Sequence, residues 1–259
     1  MTAAPTLAVA VDDDGDATLA ARLAAQLSLP LLRDGERWHG DLLLRIDARG
    51  PCLQRTGPGA PGPVRCLFAD AAMRHRRRAG HNEAIGRALG LAKRPGSHVI
   101  DGTGGYGQDA FVLADLGARV TLCERQPVLA ALLACSLAAC RDSEDRWLSG
   151  VAARIELHGR DVRALPAAVL AGADAVYLDP MFPAAGRRAA AGKAMALLQQ
   201  LLADDEQSAA ALVDWALAQP VPRVVVKRPR RAPSLGGRAP SHAIGGRAVR
   251  FDVYPPRPA

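Results

Sequence analysis

The chain has 259 residues, of which 49% are apolar and 23% charged, a globular mix that excludes a mostly disordered chain. The longest apolar run, Val128 to Cys140, is interrupted by Ser136 and falls short of the roughly 18–20 residues that cross a bilayer. The net charge of +7 points to an anionic partner, yet lysine occurs only at Lys93, Lys193 and Lys227, so only local clusters of the abundant arginine carry weight.

Asp12, Asp13 and Asp14 stand where a secretory leader would need basic and then apolar residues, so a soluble cytoplasmic protein is expected. Five cysteines (Cys52, Cys66, Cys123, Cys135, Cys140) form no C-x-x-C pair and are odd in number. They read as free thiols, mostly buried, and no structural metal is expected.

Residues 1–70 read as a small mixed α/β region, with a strand over Thr6–Val11, a helix over Ala17–Leu27, and further strands at 42–46 and 64–68. The turn-rich stretch 56–63 separates the last two. Residues 71–259 read as a second region that opens on a basic run, Arg74, His75, Arg76, Arg77 and Arg78. Such a run is either a solvated face or a phosphate-binding stripe.

From residue 98 strands alternate with helices. Strands are expected at His98–Asp101, Arg119–Glu124, Ile155–His158, Ala175–Leu178 and Val224–Val226, with helices at Asp109–Leu116 and Pro127–Cys140. A strand pair is expected around Gly245 and Gly246. The alternation predicts an α/β fold with a doubly wound, Rossmann-like parallel sheet. The stretches 184–194 and 229–241 read as loops.

The turn after the first of these strands carries glycines at Gly102, Gly104 and Gly107, followed by Gln108 and Asp109 at the start of a helix. Such a turn lets the backbone approach a ligand and offers free N–H groups. The spacing also matches a dinucleotide-binding turn, so an NAD(P)-dependent oxidoreductase stays open. Glu124 ends the next strand, where a carboxylate can accept both ribose hydroxyls. Asp101, directly before the first glycine, would repel a pyrophosphate but suits a cationic ligand, which favours S-adenosylmethionine. Asp161 is placed either to accept from an adenine amino group or to cap a helix.

The next strand ends in Asp179-Pro180-Met181-Phe182. This resembles the D/N/S-P-P-aromatic turn of methyltransferases that act on exocyclic amino groups of bases. An aromatic amino nitrogen is a poor nucleophile because its lone pair is delocalised into the ring. The Asp179 carboxylate and Pro180 carbonyl would accept its hydrogens and aim the lone pair, with Phe182 stacking on the base. The same acceptors serve guanine N2 and adenine N6 equally. The cytosine-C5 route needs a nucleophilic cysteine after a proline at this turn, and the Pro-Cys pair of this chain is Pro51-Cys52.

Taken together, MRHRRRAG, DGTGGYGQDAFVLADLG, LCERQPVLAALL, YLDPMFP, VVVKRP and RFDVY resemble the bacterial small-subunit (16S) ribosomal RNA guanine-N2 methyltransferases of the RsmJ type, from about residue 71 to 254. The resemblance implies methyl transfer from S-adenosylmethionine to N2 of one guanine in 16S rRNA or the small ribosomal subunit. It implies donor contacts at Gln108, Asp109, Glu124, Arg125, Arg160, Asp161 and Asp179. A member of that family has small hydroxyl residues where this chain has Arg160 and Asp161. The resemblance also favours RNA-phosphate contact for residues 74–78 and for Lys227 and Arg228, with Arg230 and Arg231 extending that patch. A non-catalytic RNA-binding protein on the same fold would keep the basic runs without needing intact Asp179 and Glu124.

Overall fold

The computed structural model describes residues 5–68, 70, 73, 74, 77, 83–180, 197, 200, 201, 206–235, 238–246 and 248–255. Of the residues singled out above, His75, Arg76, Arg78, Met181 and Phe182 and the stretch 184–194 lie outside the described residues.

The first sheet has three strands in the order β1-β2-β3, built from β1 (Leu7–Val11), β2 (Leu42–Asp47) and β3 (Gly50–Arg55). Helix α1 (Ala17–Leu27) connects the parallel pair β1 and β2, and β3 returns antiparallel to β2. Asp16 starts α1 by accepting the Leu19 N–H at 3.0 Å, a side-chain cap for an otherwise orphan donor. Along β2, Leu42, Leu44 and Ile46 are buried while Leu43, Arg45 and Asp47 alternate to the wetter face. There Arg45 reaches Asp12 and Gln54.

The strand expected at 64–68 is not formed. Val64 makes a single bridge to Leu53, and the strand lies at Gly50–Arg55 instead. The reason is positional: β3 closes the sheet, and an end strand tolerates Pro51 without an N–H.

The second sheet follows the chain through α2 (Ala84–Leu89), β4 (His98–Asp101), α3 (Gln108–Asp115), β5 (Arg119–Cys123), α4 (Pro127–Arg141), α5 (Arg146–Ala152) and β6 (Ile155–His158). It continues with α6 (Ala167–Ala171), β7 (Ala175–Leu178), α7 (Glu206–Leu217), β8 (Val224–Pro229), β9 (His242–Gly245) and β10 (Val249–Tyr254). The strand order is β6-β5-β4-β7-β8-β10-β9. The first five strands are parallel, and β10 and β9 add an antiparallel edge. The doubly wound sheet is therefore present, with its strands at or within a few residues of the expected positions. Helix α5 is an addition, started by Asp145 accepting the Trp147 N–H at 3.0 Å.

Side chains of the sheet alternate between two cores. Tyr177, Val225, Phe251 and Val253 face one, shared with α3, α4 and the three-stranded sheet. Val176, Leu178, Val224 and Val226 face the other, shared with α6 and α7. The first core runs without a break from Leu42, Leu44 and Leu53 to Leu129 and Leu133 of α4. A hydrogen bond from Ser136 Oγ to the Cys66 carbonyl (3.0 Å) ties the same two parts. All five cysteines are free, and all but Cys135 are buried. Among the described residues no helix is long and apolar enough to cross a membrane.

Phe111 on α3 is the hinge of that shared core. It is fully buried, stacks on Phe68 at a centroid distance of 4.8 Å and meets Trp147 edge-on at 5.7 Å. Phe111→Ala should cost about 3–5 kcal/mol of stability in denaturant unfolding. A loss below ~1 kcal/mol would show that these rings do not join the two parts.

Candidate active site

The chain leaves β4 towards β5 and β6 on one side, then returns to place β7 on the other. Between β4 and β7 the winding reverses, and the crevice beyond the carboxyl ends of such strands is where ligands of these sheets bind. Asp101 ends β4 and Asp179 follows β7, so both sequence-singled carboxyls flank this point.

Two hydrogen bonds close the crevice from below. The Gly102 N–H donates to the Tyr177 carbonyl at 3.0 Å, and the Asp179 N–H donates to Thr103 Oγ1 at 2.6 Å. The glycine turn is thus fastened to the Asp179-Pro180 turn. Two of its glycines are sterically required. A Cβ at Gly104 would lie 2.9 Å from the Cys123 carbonyl oxygen, against β5. Gly107 caps α3 at φ +75°, and a Cβ there would lie 2.6 Å from Leu133 Cδ2.

Glu124 shapes the other wall. It is buried, and its two oxygens accept the Gly105 N–H (2.6 Å) and the Gln126 N–H (2.7 Å). Gln126 in turn accepts from Val128 and Leu129 at the start of α4. Gln108, Arg125 and Arg160 are exposed at the carboxyl ends of β4, β5 and β6. Asp161 combines roles: it accepts the Arg163 N–H at 2.9 Å as a cap and pairs with the Arg163 guanidinium at 2.7 Å. That guanidinium holds the Asp161 carboxyl below its usual range.

At the centre, Lys227 Nζ lies 2.8 Å from Asp109 Oδ2 and 2.9 Å from Asp179 Oδ2. Tyr177, fully buried, donates its hydroxyl to the same Asp109 oxygen at 2.6 Å. The Lys227 ammonium is held well above its usual range, because the attraction of Asp179 and Asp109 outweighs the cost of burial. Burial raises the Asp179 carboxyl, Lys227 opposes that, and Asp109 reinforces it. The side chains of Lys227, Asp109 and Asp179 retain 23%, 20% and 39% of their exposure, so Asp179 is the most open of the three.

This geometry corrects the expected surface role of Lys227 and Arg228. Strand alternation turns Lys227 into the crevice, where two carboxylates hold it. Arg228 points to the opposite face, is 2% exposed, and donates through Nε and Nη2 to the Pro233 carbonyl. It pins the following loop and is not available at the surface. Arg230 and Arg231, by contrast, are exposed just past the end of β8 and line an open groove with Pro229 and Ala248.

The two described members of the basic run, Arg74 and Arg77, are engaged by the protein itself. Arg74 pairs with Asp145 at 3.0 Å and Arg77 approaches Asp115 at 3.9 Å. Both guanidinium groups lie over the Trp147 ring, at 5.3 and 5.0 Å. Asp115 is the last residue of α3, six positions or about 9 Å of helix from Asp109. Thr103 and Tyr177 are the site residues that sequence reasoning missed. A tyrosine in the otherwise aliphatic strand Ala175–Leu178 was the available signal.

Asp101 is 1% exposed and accepts the Thr103 N–H at 3.0 Å. Burial pushes its carboxyl up to about 8, with Asp109 and Asp179 adding to the effect. A raised carboxyl binds its proton more tightly in the native than in the unfolded chain. Its contribution to stability is therefore complete at low pH and declines as pH rises from ~4 to ~8, by up to ~1.4 kcal/mol per pH unit. Asp101→Asn should remove that decline, so that its stability relative to the native sequence improves steadily over that range. Parallel stability–pH curves from denaturant unfolding would contradict it.

The chain matches the model of the family described as "Putative SAM-dependent methyltransferase" over residues 32–256. It is 42% identical over 236 residues to ribosomal RNA small subunit methyltransferase J of Pseudomonas fluorescens, covering 90% of this chain and 88% of that protein. It is 43% identical over 220 residues to the protein of the same name from Marinobacter nauticus, covering 83% and 78%. The crystal structure of a SAM-dependent methyltransferase from Neisseria gonorrhoeae superposes with a TM-score of 0.74 at 32% identity, covering 98% of this chain and 97% of that one.

Proposed function

The chain belongs to the ribosomal RNA small subunit methyltransferase J family of SAM-dependent methyltransferases, and from that premise we propose that it methylates the exocyclic N2 of a guanine in small-subunit (16S) ribosomal RNA. The observation that carries this reading is the Asp179-Pro180 turn, fastened through Thr103 to the glycine turn at the winding reversal of the sheet. With rRNA as substrate, the place of action is the cytoplasm.

The donor set fits S-adenosylmethionine in kind. Asp109 and Asp179 share the single ammonium of Lys227 beside the glycine turn, an excess of one carboxylate that suits a cation better than a pyrophosphate. This speaks against the nicotinamide alternative. Glu124 at the end of β5 would hold the ribose, with Gln108 and Arg125 beside it, and Arg160 with Asp161 would face the adenine. When bound, S-adenosylmethionine supplies an electrophilic methyl group on a sulfonium.

Asp179 and the Pro180 carbonyl accept hydrogen bonds from the target amino group, so that the nitrogen lone pair points along the transfer line, and the proton that the methylated nitrogen sheds is released to solvent past the Asp179 carboxylate. Catalysis is then placement and electrostatics, with no covalent enzyme intermediate. Phe182 would stack on the base. Exposed Arg230 and Arg231 sit at the same end of β8 as Lys227 and would take RNA phosphates. Arg74 and Arg77, docked on Trp147, would offer RNA phosphates their outer faces. Guanine is preferred over adenine on the sequence resemblance alone, since both present an amino group to the same acceptors.

The test is transfer of labelled methyl from S-adenosylmethionine to unmethylated small subunits and to naked rRNA, followed by nucleoside analysis. N2-methylguanosine is the expected product. N6-methyladenosine would overturn the target, and no incorporation while the donor still binds would overturn the substrate. Asp179→Ala should lower the rate of transfer by about 10²-fold or more while donor binding persists. Near-native turnover by that variant would remove Asp179 from the mechanism.

A further inference from the structure

We propose that Lys227 is a positioning residue for the transfer step: its ammonium grips Asp179 through Oδ2 and leaves Oδ1 as the acceptor for the target amino group. The inference rests on the reading of Asp179 given above and adds to it the group that makes Asp179 competent.

Three carboxyls converge here from three elements: Asp101 at the end of β4, Asp109 in the first turn of α3 and Asp179 after β7. Carboxyls this close cannot all ionise unaided, and a proton shared among them would settle on one or another. A protonated Asp179 would present a hydroxyl donor on one oxygen and lose much of its power to accept an N–H. Lys227 supplies the single ammonium that faces this cluster among the described residues, and it touches Asp109 and Asp179 at once.

The fold leaves that ammonium little freedom. Leu178 and Val226 are the last paired residues of β7 and β8, so Asp179 and Lys227 occupy the next positions of adjacent parallel strands. On the far side Asp109 is immobilised by the Tyr177 hydroxyl, whose bond falls on the same oxygen that Lys227 uses. Asp109 therefore serves as the anchor, Lys227 as the bridge and Asp179 as the group being aimed. Among the described residues every hydrogen bond to the Asp179 carboxylate falls on Oδ2. The side chain also keeps the largest exposure of the three, as an acceptor for an incoming base requires. The groups facing Asp179 are thus Lys227 from β8, Asp109 from α3, Asp101 from β4 by way of Thr103, and the Tyr177 hydroxyl of β7 through Asp109.

The test compares the native enzyme, Lys227→Met and Lys227→Arg by kcat for RNA methylation as a function of pH, alongside donor and RNA affinity. Lys227→Met should lose roughly 10²-fold in kcat near neutral pH. Its acid limb should move up by about one pH unit or more, so that raising the pH recovers part of the rate. Donor and RNA affinities should stay within a few-fold of native. Lys227→Arg preserves the charge and should keep the acid limb near its native position. If Lys227→Met does not fold, the arginine variant decides alone, and an acid limb displaced upward by a full unit overturns the proposal. A uniform loss at every pH, or a rise in KM for RNA with kcat intact, overturns it as well, the latter assigning Lys227 to RNA contact. Absence of RNA methylation by the native enzyme overturns the functional reading and this inference together.

Discussion

The site depends on two hydrogen bonds that cross the winding reversal of the sheet, Gly102 N–H to the Tyr177 carbonyl and Asp179 N–H to Thr103 Oγ1. They join the turn that would cradle a methyl donor to the turn that would hold its acceptor. Methyl transfer requires the two reactants in line at near-contact distance, and a misplacement of ~1 Å is enough to cost ~10²-fold in rate. Fastening both turns to one another, and each to a buried strand, converts the rigidity of the parallel sheet into placement of the reacting groups. The steric demands at Gly104 and Gly107 serve the same end, since larger residues would push the loop away from β5 and α4.

Electrostatics is layered on that frame. Asp101, buried and raised to about 8, is largely neutral near pH 7, which leaves Asp109 and Asp179 to be balanced by Lys227. The resulting local charge is slightly negative, in keeping with a cationic donor, while the exposed Arg230 and Arg231 at the rim keep the approach favourable to an anionic substrate. Opposite charges are thus separated by depth, carboxyls within and guanidinium groups outside.

Much of this was legible from residues alone. Strands with their turn chemistry were readable because glycine, proline and aspartate at 101–109 and 179–180 have strong steric and hydrogen-bonding preferences that hold in any sheet of this kind. What escaped depends on facing and on distance along the chain. Lys227 and Arg228 look alike as neighbours, yet strand alternation sends one into the crevice and the other against Pro233. Arg74 and Arg77 read as a free basic run because Trp147, some seventy residues later, is invisible to local inspection. The strand at Gly50–Arg55 was hidden by Pro51, whose cost vanishes only once β3 is known to close its sheet.

Single-turnover methyl transfer by Thr103→Val, with Thr103→Ser as its partner, tests most directly whether the two turns work as one unit. Valine keeps the size of threonine but cannot accept the Asp179 N–H. The expected result is a rate about 10-fold or more below native with donor affinity nearly unchanged, and recovery towards the native rate in the serine variant. Native-rate transfer by Thr103→Val would contradict the coupling of the donor and acceptor turns.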